Sequence, residues 1–133
     1  MTTHLVMLDG PPPRGYADGR IGEGRVLHIA GQVGWNREQK FVAKDLVGQF
    51  GQALDNLLAV LGAAHGHVDD IAEMTIYVTD IAAYRAARKQ LGPAWRARMG
   101  HHYPAMALVA VSGLVEPEAL VEIQAVAYLE HAP

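Results

Sequence analysis

The chain has 133 residues, half of them hydrophobic, enough for one domain with a real core. Its net charge of -3 comes from interspersed acidic and basic residues, which excludes an electrostatic footprint for nucleic acid or an anionic membrane. With no cysteine there are no disulfides, no thiolate catalysis and no sulfur-ligated metal. The N-terminus "MTTHLVML" lacks the basic segment and long apolar run of a signal peptide, and no stretch has the apolar length of a membrane span, so a cytoplasmic protein is expected.

In chain order, a short apolar start (Leu5 to Leu8) leads into "DGPPPRGYADG", a loop, because consecutive prolines cannot feed a sheet ladder. "RIGEGRVLHIAGQVG" predicts a hairpin turning at Gly22 and Gly24, with Arg25 to Val33 as its second strand. The same glycines resemble a phosphate loop only faintly, since no helix and no lysine-serine pair follow.

From Asp45, the residues Leu46, Val47, Phe50, Leu54, Leu57 and Leu61 recur at helical spacing and predict an amphipathic helix, capped by Asp45 and ended near Gly62 to Gly66. "AEMTIYVT" alternates as a strand, with Met74, Ile76 and Val78 on one face and Glu73, Thr75 and Tyr77 on the other. Asp80 caps a second helix with Tyr84, Leu91, Trp95 and Met99 on its buried stripe, kinked or broken at Gly92-Pro93 and stopped by Gly100. Its arginines, including Arg88 and Arg96, read as a solvated face. Strands Ala105 to Ser112 and Leu120 to Leu129 follow.

The order β-β-α-β-α-β-β predicts an α/β (α+β) fold, one mixed sheet with two helices packed on one face. The other face would carry Glu122, Gln124, Val126, His28, Ala30 and Gln32, with Met106, Leu108 and Ala110 beside them. It is too apolar for water and too polar for a dry core, so another subunit is expected to cover it.

Glu122, flanked by apolar residues, is either a solvated carboxylate on an alternating strand, which the pattern alone favours, or a group held for proton transfer; removal from water would favour its protonated form. His101 and His102 sit with Tyr103 at the mouth of an apolar run, as a polar loop at a helix end or as acid-base groups. A metal would need further ligands from His65, His67, Asp69 or Asp70, and none is expected to bind. Arg14 and Tyr16 lie in the proline-rich loop, where a binding role requires an ordered conformation.

The segments "VLHIAGQVG", "QALDNLLAVLGAAHGHVDDIAEMTIYVTDIAAY", "YPAMALVAVSGL" and "LVEIQAVAY" together resemble the RidA (YjgF) family of reactive-intermediate deaminases, from about Tyr16 to the C-terminus. The resemblance implies a chorismate-mutase-like fold and a homotrimer with small-molecule ligands bound in clefts between subunits. It further implies hydrolysis of enamines and imines with neither metal nor cofactor.

In this family an arginine after the "PA" of the penultimate strand clamps the substrate carboxylate by a bidentate pair. Here that position is Met106, a thioether without that capacity. Glu122 matches the glutamate that positions or activates water, and Tyr16 the tyrosine of the N-terminal loop. Ala30, beside Gly31, stands where a serine is common, and Leu108 where a small or polar residue contributes to the substrate cradle. Arg14, His101 and His102 are the candidates for a replacement anchor. The expected function is a divergent imine or enamine hydrolase; the alternative is a non-enzymatic ligand-binding or protein-interaction trimer using the same cleft.

Overall fold

The computed structural model describes residues 1–131. A two-stranded ribbon of β1 (Thr3–Val6) and β2 (Gly19–Gly22) stands apart from a four-stranded sheet of β3 (Arg25–Val33), β4 (Ile71–Val78), β5 (Ala105–Ala110) and β6 (Val121–Leu129). The sheet order is β3-β6-β4-β5, with β4 and β5 parallel and the other pairs antiparallel. Helices α1 (Leu46–Ala63), α2 (Ile81–Ala86) and α3 (Arg88–Met99) complete the mixed α+β fold.

α1 begins where predicted, the Asp45 side chain accepting from the Gly48 N–H. Its stripe of Phe50, Leu54, Leu57 and Leu61 is buried against β6 and β4 residues including Val121, Ile123, Met74 and Ile76. Burying leucines as completely as Leu54 and Leu57 contributes roughly 1.5–3 kcal/mol each. At the helix end His65, not a glycine, takes the left-handed conformation (φ 61°). Gly66 is needed for closeness instead: a Cβ there would lie 2.5 Å from Leu61 Cδ1 and 2.8 Å from Leu129 Cδ2.

The structure corrects three expectations. β2 pairs with β1, Ile21 opposite His4, so the Gly22-Gly24 turn does not close a hairpin onto β3. The partner strand β1, Thr3–Val6, overlaps the short apolar start only at Leu5 and Val6. The second helix breaks at Ala87, and α3 runs through Pro93. The missing Pro93 N–H would have bonded the Lys89 carbonyl, and both residues are exposed, where water can take its place.

Third, Met106 and Leu108 lie on the helix-covered side. Parallel pairing sets Met106 beside Met74 and Leu108 beside Ile76, and those partners face the core. Ala110, paired with Val78, follows the same phase. β5 is "AMALVA", apolar at every position, so its composition does not say which alternate set faces inward.

The ribbon is laced to the main body through polar contacts. Thr2 Oγ1 donates to Asp70, Thr3 Oγ1 donates to the Asp69 carbonyl at 2.7 Å, and Arg20 Nε donates to the Tyr103 carbonyl at 2.9 Å. These hold the proline-rich loop against the start of β5, and Ala17 N–H bonds the Pro104 carbonyl at 2.9 Å. Among the described residues no helix is long and apolar enough to cross a membrane.

Candidate active site

Two recesses lie on opposite sides of the sheet. The first, about 490 Å³, opens between the proline-rich loop, α3 and β5. Met106 and Leu108 line it from the strand, Trp95 and Leu91 from α3, and Arg14 and Tyr16 from the loop. Tyr16 reaches this place because the Ala17–Ala105 bridge extends the loop along β5. Trp95 and Tyr103 stack with ring centroids 5.7 Å apart and planes 5° from parallel, giving the cavity an aromatic wall.

The second, about 320 Å³, lies on the open face between β3, β6 and β4, with His28, Ala30, Glu73, Thr75 and Gln124 around it. Glu122 lies on this face: it pairs with Tyr77 of β4 and Val33 of β3, out of phase with the buried Val121 and Ile123. A bulge between Ile29 and Gln32 brings Gly31 against it, so that a Cβ on Gly31 would lie 2.5 Å from Glu122 Oε2. The structure therefore groups Tyr16, Arg14, Met106 and Leu108 on one side, and Glu122, Gly31 and Ala30 on the other.

His102 joins neither group. Its ring is buried, with Nε2 2.7 Å from the Ile71 carbonyl and Nδ1 3.7 Å from Asp69 Oδ1. Burial holds its pKa below the ordinary histidine value; the nearby Arg20 charge adds to this, while the Ile71 bond and the charges of Asp69 and Asp70 oppose it. Its carbonyl also accepts from Trp95 Nε1 at 3.3 Å. His101 is exposed in the turn after α3 and lines neither recess. The two histidine-bearing loops meet at His102 and Asp69, but among the described residues no three His, Asp or Glu side chains cluster as metal ligands.

The sequence reading missed Arg88 and Arg96. Both are exposed, as a solvated face requires, yet both also line the first cavity, together with Tyr84 and Gly92. The signal was the four-residue recurrence of Arg88, Gly92 and Arg96, which sets them along one stripe of α3.

The sequence profile of the family described as Endoribonuclease L-PSP matches residues 9–129. The chain belongs to the RidA (YjgF) family. A RutC family protein of Pyrococcus horikoshii is 31% identical over 123 residues, 92% of this chain and 94% of that one. The crystal structure of the conserved Rid-family protein YyfB from Yersinia pestis superimposes with a TM-score of 0.87 at 30% identity, covering 97% of this chain and all of that one. RidA from an Antarctic Psychrobacter is similar with a TM-score of 0.69 at 25% identity, over 95% and 99% of the two chains. Within the RidA frame, Met106 occupies the strand position from which the aromatic-walled cavity is floored.

Proposed function

We propose that this RidA-family protein hydrolyses a small imine or enamine, or a related C–N bond, at a site completed between neighbouring copies in a homotrimer. The observation that carries the reading is the Glu122 carboxylate held against Gly31 on the open face, away from the cavity that Tyr16 lines. One chain cannot bring these groups together, because the sheet lies between them. Two copies can, if the open face of one meets the β5 edge of the next; that arrangement also removes Val126 and its neighbours from water.

In the imine reaction, Glu122 takes a proton from water as the oxygen adds to the imine carbon, and the nitrogen gains the proton. Collapse of the resulting carbinolamine breaks the C–N bond, leaving a carbonyl and releasing ammonia or an amine. Tyr16 orients the ligand. An enamine enters the same path after protonation at carbon. As the family resemblance implies, neither metal nor cofactor is required.

The test is hydrolysis of imines generated in situ by an amino-acid oxidase, across acidic, neutral and basic amino acids. Turnover lost in Glu122→Gln supports the hydrolase. A second reading, a ligand-binding trimer without chemistry, is favoured by the apolar floor of Met106 and Leu108. It gains if Glu122→Gln changes nothing, or if activity appears only in Met106→Arg.

A further inference from the structure

Three guanidinium groups, those of Arg14, Arg88 and Arg96, line the cavity beside Met106, and no carboxylate does. Arg88 and Arg96 stand two turns apart on α3 with Gly92 between them. Gly92 leaves room for the Arg96 head: a Cβ there would lie 3.2 Å from Nη1 and 3.7 Å from Nη2. Among the described residues, none of the three arginines has a carboxylate within ion-pair distance. By contrast Arg98, on another face of the same helix, is bound to Asp55, with Nε 2.7 Å from Oδ1. Arg88 Nε reaches only the Arg85 carbonyl, at 3.5 Å. Cationic groups left without carboxylates around an apolar, aromatic-walled recess form a site for an anion with an apolar body.

We propose that the cavity takes a small carboxylate carrying an aromatic or branched apolar body. The carboxylate is held by Arg88 and Arg96 on the wall of α3, and the body packs on Met106, Leu108 and Trp95. This rests on the reading of the cavity as the substrate side of the hydrolytic site, and it moves the anion anchor from the strand to the helix. Met106 then fits its place: a thioether on the floor favours an apolar body where a guanidinium would exclude one. The substrates selected are imines derived from large apolar or aromatic amino acids.

Calorimetric titration separates binding from turnover. The probes are 3-phenylpropanoate, its uncharged amide 3-phenylpropanamide, and acetate. In the intact protein the carboxylate is expected to bind about tenfold or more tightly than either the amide or acetate. Arg88→Gln and Arg96→Gln are each expected to weaken 3-phenylpropanoate about tenfold or more without changing the amide, while Arg98→Gln leaves both unchanged. Equal affinity for acid and amide, or unchanged carboxylate affinity in both cavity variants, overturns the anchor. Acetate binding as tightly as 3-phenylpropanoate overturns the apolar body. Arginine-dependent binding in a protein that hydrolyses no imine supports the anchor and rejects the hydrolase. Glu122-dependent hydrolysis with arginine-independent binding rejects the anchor alone.

Discussion

The carboxylate of Glu122 on β6 lies so close over Gly31 on β3 that a Cβ at Gly31 would come within 2.5 Å of Oε2 and 2.8 Å of Cδ. The glycine is not in the left-handed region, so alanine is conformationally permitted there. Gly31→Ala is therefore expected to fold normally and to push the carboxylate aside. Imine hydrolysis should fall by on the order of a hundredfold, the scale for misplacing a catalytic group by about 1 Å. An unchanged rate would show that the position of Glu122 does not matter to the chemistry.

If the proposed two-copy site forms, a charge on the open face should separate the copies. Val126 is half-buried and borders the second recess, and exposed Val26 lies opposite Tyr128 on the same sheet. Val126→Asp is expected to reduce the mass measured by sedimentation equilibrium from three chains to one, without loss of secondary structure by circular dichroism. A one-chain mass for the unaltered protein would remove the two-copy site altogether.

His102 should make stability depend on pH in one direction. Its pKa in the fold is lowered from 6.5, chiefly by burial, so the unfolded chain takes up a proton that the folded chain refuses. The stability from this group is fully present above pH 6.5 and is lost as pH falls below it, toward the lowered folded value. Urea unfolding of the native protein should thus weaken more steeply below pH 6.5 than that of His102→Gln, whose amide still donates to Ile71 but does not titrate. Parallel curves would show that the ring is not what senses the proton.

Gln49 should prove a structural polar residue. It is buried in α1; its Nε2 donates to the Ala43 carbonyl at 3.2 Å and to the Glu118 carbonyl at 3.0 Å, while Oε1 accepts from Leu120 N–H at 2.8 Å. Gln49→Leu strands these backbone groups and is expected to cost roughly 2–4 kcal/mol in chemical denaturation. Exposed Gln90→Leu, as the control, should stay within about 0.5 kcal/mol. Equal losses in the two variants would contradict this role.

What the sequence determined by itself was local and periodic. The stripe from Leu46 to Leu61, the alternation of Met74, Ile76 and Val78, and the caps at Asp45 and Asp80 depend on neighbours within a few residues, and each stands as read. The motifs that place the chain in the RidA family were equally legible. Pairing and phase were not, because they depend on hydrogen bonds between segments far apart in the chain. β2 joined β1 rather than β3, and an all-apolar β5 took the phase set by Met74 and Ile76, which turned Met106 and Leu108 toward α3. That same packing drew Arg88 and Arg96 to the cavity that Tyr16 lines and turned His102 inward onto Ile71. Side-chain spacing fixes which residues share a face, but only the docking of helix on sheet fixes what that face meets.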